Sequence, residues 1–144
     1  MDPDVIVAGA GPAGTVAALV LARAGARVLL LERARFPRHK LCGDSINPGA
    51  VAILERLGVS HVLAGGLPVD GMLVSGERQI RVVGRYPSSV RGVSLTRAVL
   101  DSRLAEAAVR AGARLEQGTV LRGPVVSAGV ARVSRVEVRC AHRT

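Results

Sequence analysis

The chain has 144 residues, 49% of them hydrophobic and 22% charged. That length is close to one domain, and the composition excludes a disordered chain, a disulfide scaffold and a coiled coil. Twenty basic against eleven acidic residues leave a formal net charge of +9, and Lys40 is the one Lys among nineteen Arg. A nucleic-acid surface needs clustered cations or stacking aromatic faces. The Arg residues are instead spread from Arg23 to Arg143, and Phe36 and Tyr86 are the only aromatics. A basic nucleic-acid-binding domain is therefore the least favoured of the alternatives. Cys42 and Cys140 match no metal-ligand spacing, so no metal is expected, and reduced thiols fit a cytoplasmic protein. Residues 1–4 carry no signal-peptide pattern. The uncharged stretch 5–22 is broken by Gly9, Gly11, Pro12 and Gly14, so no transmembrane segment is expected.

In chain order, the β-branched run at 5–8 predicts a buried strand. Gly9-Ala10-Gly11-Pro12-Ala13-Gly14 follows at once, then an apolar helical stretch at 15–24 stopped by Gly25. Residues 27–32 predict a second strand, ending on Glu32 eighteen positions after Gly14. The strand, glycine turn, helix, strand and terminal acid together make a GxGxxG dinucleotide site with its context complete. Gly9 allows the tight turn, Gly11 the approach of a pyrophosphate to backbone N–H groups, and Gly14 the packing of helix on strand. The helix start favours anions, and Glu32 can accept from a ribose diol. NAD and FAD both fit this unit.

The loop that follows, residues 33–44, holds Arg33, Arg38 and Lys40, which would balance a diphosphate. Gly43 would let backbone approach a flat ring. A solvated basic loop is the alternative. Cys42 is either a thiol tuned by Arg38 or Lys40 or a small packing residue.

Taken together, Gly-Ala-Gly-Pro-Ala-Gly, Glu32-Arg33 and Phe-Pro-Arg-x-Lys-x-Cys-Gly-Asp at 36–44 resemble the opening of FAD-dependent oxidoreductases of the geranylgeranyl reductase and aromatic-hydroxylase group. The resemblance implies an α/β, Rossmann-like FAD-binding fold with a parallel sheet. It implies FAD as cofactor and NAD(P)H as electron donor of the parent enzyme. Gly9, Gly11, Pro12, Ala13, Gly14, Glu32, Arg33, Lys40, Cys42 and Gly43 would then line the cofactor, with Cys42 and Gly43 near the flavin ring.

Further on, Asn47 and Pro48 predict the start of a helix reaching Leu57, with Gly58 as its stop and Ala50, Ile53, Leu54 and Leu57 as its apolar stripe. His61 has no partner base or nucleophile nearby and is expected at the surface. Two strands at 69–75 and 79–83, joined through Gly76-Glu77, form a hairpin within an inserted segment 68–92. Ser94 or Thr96 caps a third helix running to Ala111, with Gly112 as its stop. Leu100, Leu104, Ala107 and Ala111 line its inner face, and Glu106 and Arg110 are spaced to pair outside.

Arg97 in the first turn of that helix opposes its dipole by roughly 0.3–1 kcal/mol, and Asp101 four residues on is one way to offset it. The resembled family carries this Arg-x-x-Leu-Asp-x-x-Leu pattern with the Arg at FAD. Residues 113–117 predict a third parallel strand. The family's cofactor meets backbone near its exit, which makes Val120 a candidate contact. A last hairpin is expected from 125–127 and 131–139 about Ala128-Gly129.

The resemblance covers nearly all of the chain but only the leading part of the family's length, so residues 1–144 are expected to be the amino-terminal portion of an FAD-binding domain. The parent would be an isoprenoid double-bond reductase or a flavin monooxygenase acting on a small-molecule or lipid-like substrate. Peripheral membrane contact is compatible with that. No acid, base or nucleophile set identifies catalytic residues. The chain alone is expected to bind FAD weakly or not at all and to be inactive. A stand-alone dinucleotide-binding module and a non-enzymatic fragment are the alternatives.

Overall fold

A computed structural model describes residues 2–42, 44–126 and 133–140. In chain order its elements are β1 (Val5–Ala8), α1 (Pro12–Arg23), β2 (Val28–Glu32), β3 (Ser45–Ile46), α2 (Pro48–Arg56), β4 (Leu67–Val69), β5 (Gly71–Ser75), β6 (Arg81–Arg85), β7 (Gly92–Ser94), α3 (Arg97–Arg110), β8 (Arg114–Gln117), β9 (Thr119–Val126) and β10 (Val133–Cys140). The chain divides into two units, Met1–Arg38 with Asp101–Thr144, and His39–Leu100.

The first unit is built on a parallel sheet in the order β1-β2-β8. Val5 pairs with Val28 and Ala8 with Leu31 on one side of β2, and Leu29 with Arg114 and Glu32 with Gln117 on the other. Every residue of β2 is buried, the reason Val28-Leu29-Leu30-Leu31 reads as a continuous apolar run. Ala18 and Leu19 of α1 and Leu104, Ala105, Ala107 and Ala108 of α3 pack into the same core. Outside it, Glu106 and Arg110 pair at 3.7 Å, as their spacing predicts. An antiparallel β9–β10 pair extends the unit. The turn expected about Ala128-Gly129 and the strand start at 131 lie outside the described residues.

The second unit holds a three-stranded antiparallel sheet, β3-β7-β4, and a separate β5–β6 hairpin. Asn47 caps α2 through its side-chain oxygen, which accepts from the Ala50 N–H at 2.9 Å. Leu54 is buried there, with Val59, Val62 and Leu63, whereas Ile53 is exposed. The apolar stripe expected on α2 is thus narrower than its sequence suggests.

The strand expected at 69–75 is two strands. Val69 pairs with Gly92 and Gly71 with Arg85, so the chain changes partner at Asp70. The following strand begins at Arg81 instead of 79, because Glu77–Gln79 form a helical turn with Arg78 at φ 54 and Gln79 at φ 61. His61 is exposed on a short 3₁₀ turn, Ser60–Leu63.

Candidate functional site

The end of β1 turns sharply into α1. Gly9 takes φ +94 while its N–H stays on the Leu31 carbonyl at 2.8 Å, a conformation costly for any residue with a side chain. A Cβ at Gly14 would lie 1.9 Å from the Gly9 carbonyl oxygen. The helix therefore approaches the strand end only because position 14 has no side chain. Gly11 is the N-cap, no side chain caps the helix, Pro12 brings no N–H, and the first turn holds no acidic residue. Thr15, fully buried, donates its hydroxyl to the Gly11 carbonyl at 2.8 Å. The first turn of α1 thus carries no acidic side chain of its own and no side-chain cap, which leaves its N–H groups open to a phosphate.

Glu32 at the end of β2 faces this turn and is only 5% exposed. Its Oε2 accepts from the Ala10 N–H at 2.9 Å and its Oε1 from the Ala34 N–H at 3.0 Å. A carboxylate offers about four lone-pair sites, and these two bonds leave acceptor capacity for a diol. Arg38 reaches the same acid. Its guanidinium lies 3.1 Å from Asp101 Oδ2 on α3 and 3.6 Å from Glu32 Oε2. It also sits over the Phe36 ring, 5.4 Å from the centroid, and its buried Nε has no hydrogen-bond partner. Arg38 is thus held by two carboxylates. It is not the free diphosphate cation that the basic loop suggests.

The remaining predicted residues divide between the units. Gly9, Gly11, Pro12, Ala13, Gly14 and Glu32 come together in the first. That unit also holds Arg33, which is exposed, and Val120, half-buried on β9. Lys40, Cys42 and Arg97 belong to the second unit. Lys40 and Cys42 are exposed. Gly43 lies outside the described residues.

Arg97 is half-buried, and its backbone N–H donates to Asp44 Oδ1 at 3.0 Å. The Asp44 carboxylate therefore caps the start of α3, where it complements the helix dipole. Asp44 also accepts from the Leu95 N–H through its own carbonyl at 2.9 Å. Sequence reasoning missed Asp44 as a cap and Asp101 as the partner of Arg38. No local spacing announces either contact, since they join residues 53 and 63 positions apart. A groove of about 350 Å³ between α3 and β8, lined by Phe36, Val109 and Leu115 among others, contains none of the predicted cofactor residues. Among the described residues no group of His, Cys, Asp or Glu could hold a metal ion, and no helix is long and apolar enough to cross a membrane.

With this geometry in place, comparison with known proteins is decisive: residues 2–133 match the FAD binding domain family. The chain belongs to that family. It is 43% identical over 119 residues to a menaquinone reductase of Mycobacterium tuberculosis, covering 80% of this chain and 29% of that protein. It is 40% identical over 121 residues to digeranylgeranylglycerophospholipid reductase 1 of Methanopyrus kandleri, covering 81% and 30%. Among solved structures, the myxobacterial chondrochloren halogenase, an FAD-dependent halogenase, superposes with a TM-score of 0.85 at 28% identity, covering 96% of this chain and 33% of that one. The chain thus spans about three-tenths of the length of these relatives. The partial, parallel-sheet FAD-binding fold expected from the glycine turn is the fold observed.

Proposed function

We propose that the chain forms the part of a flavoenzyme that grips the adenosine diphosphate end of FAD. In this reading the open N-terminus of α1 and the glycine turn hold the pyrophosphate, and Glu32 accepts from the ribose diol. Pro12 and Ala13 shape the first turn of that helix. Arg33, Lys40, Cys42, Gly43, Arg97 and Val120 are the further contacts proposed along the cofactor, with Lys40 and Arg97 as its cations. The redox chemistry belongs to the flavin ring of FAD when it is bound, and the protein's part is to bind, orient and shield it.

The whole enzyme is proposed to be an oxidoreductase that draws on NAD(P)H and acts on a lipid-like substrate of the prenyl class. It would do so as a double-bond or quinone reductase or, on the alternative course, as a monooxygenase. The names of the two reductases above support the first of these.

The observation that carries the proposal is the hydrogen bond from Ala10 N–H to Glu32 Oε2, which ties the glycine turn to Glu32. Titration of the 144-residue chain with FAD and with ADP, followed by calorimetry, tests it. Weak but saturable ADP binding, abolished by Gly11→Val, whose side chain would hold the pyrophosphate off the backbone, is the expected result. Absence of any ADP binding by the unsubstituted chain would overturn it.

A further inference from the structure

We infer that Asp101 is a positioning residue that keeps Glu32 open for its ligand by holding Arg38 away from it. The inference rests on the reading of Glu32 as the ribose acceptor. Three charged groups share one buried site: Glu32 at 5% exposure, Asp101 at 0% and the Arg38 side chain at 12%. Two carboxylates face one guanidinium, so the two acids compete for it, and the distances record the outcome. Arg38 is at hydrogen-bond range from Asp101, 3.1 Å, and beyond it from Glu32, 3.6 Å. Its Nε donates to nothing, so the guanidinium has not closed on Glu32 as a two-pronged fork.

The consequence concerns lone pairs. Glu32 spends one acceptor site on Ala10 and one on Ala34. A bidentate Arg38 would occupy the other two. A ribose diol donates two O–H groups and needs those same sites. Removing the Asp101 charge leaves Glu32 as the only carboxylate facing Arg38, which then closes on it in a buried setting where such a pair is strong. Asp101, sixty-nine positions from Glu32 in sequence and never touching the ligand, thereby sets whether the acid recognises ribose.

The test compares ADP with 2′-deoxy-ADP by calorimetry on the full 144-residue chain. The unsubstituted chain is expected to prefer ADP by about tenfold, near the worth of one hydrogen bond to a charged acceptor. Asp101→Asn is expected to bind both with nearly equal affinity. The double variant Arg38→Gln with Asp101→Asn removes the competing cation together with its holder, so the preference for ADP is expected to return. A purely structural role for Asp101 would not give that rescue. The double variant removes one cation and one anion and so leaves the net charge of the site unchanged, with Glu32 still held by two backbone N–H groups, so it tests the inference even if Asp101→Asn alone fails to fold.

A preference retained in Asp101→Asn, or one not regained in the double variant, overturns the inference while leaving the FAD reading intact. Equal affinities in the unsubstituted chain overturn the role of Glu32 and the inference with it. No binding of either nucleotide overturns the proposed function itself.

Discussion

Gly14 and Gln79 show how much a single backbone position decides. At Gly14 a methyl group would meet the Gly9 carbonyl oxygen at 1.9 Å, a contact relieved only by moving α1 off the strand end. Gly14→Ala is expected to destabilise the protein by about 1–3 kcal/mol, as other forced overpacking does, and to weaken ADP binding in parallel; thermal melts with and without ADP measure both. Gln79 has the opposite mismatch, a side chain at φ 61 in the β5–β6 turn. Gln79→Gly is expected to stabilise the chain by about 1 kcal/mol through the left-handed penalty it removes, read in chemical denaturation.

Asp4 forms an ion pair with Arg27 beside the start of β1. Hydrogen bonds from the side chain and backbone of Arg27 lower its pKa from 3.8 to about 2. A depressed acid contributes stability that is full above its unfolded value and lost as pH falls through its folded one. The contribution from this exposed pair is therefore present above about pH 4 and gone near pH 2. Asp4→Asn is expected to flatten the melting temperature against pH across that window.

At the level of elements, α2 and α3 were both legible from their ends, but the acceptor at the start of α3 was not. Asn47 and Pro48 are neighbours in sequence, and the cap they predict is formed by adjacent backbone, so no tertiary information is needed. Asn47→Ala is expected to cost about 1 kcal/mol of stability, in line with other lost N-caps, and circular dichroism melts would show it. At α3 the acceptor for the first N–H comes from Asp44, across a loop, a helix and several strands. Ser94 and Thr96 are adequate local candidates for the cap, and nothing in the sequence shows that a distant carboxylate reaches the helix start. The short strands β3 and β7 escaped notice for a related reason. Two or three residues carry no periodicity, and only pairing makes them strands.

For the molecule as a whole, the division into two units gives ligand binding a regional signature. A nucleotide held by Gly9–Gly14 and Glu32 stabilises the unit that contains them, by about 2.7 kcal/mol when the ligand stands at a hundred times its Kd. Hydrogen exchange should show the amides of Ala10, Ala34 and β2 slowing by a large factor on adding ADP, with those of β5 and β6 unchanged. Uniform slowing across both units would mean that the nucleotide is bound elsewhere or that the whole chain opens together.

The sequence by itself determined the glycine turn, the buried run of β2, the helix caps of α2 and the acid at Glu32. These depend on backbone conformation and on periodicity within a few residues, which local chemistry dictates. They establish a dinucleotide-binding unit, which NAD and FAD share; the FAD family rests on the resemblance carried by the loop at 36–44 and on the match over residues 2–133. The tertiary structure alone decided what Arg38 does. In the sequence it is one cation in a basic loop with Arg33 and Lys40, equally suited to a diphosphate or to solvent. Folding buries it between Glu32 and Asp101, where leaving either carboxylate without a counter-charge is costly. Of the +9 net charge, this one Arg thus serves the interior, and its role follows from burial rather than from its place in the sequence.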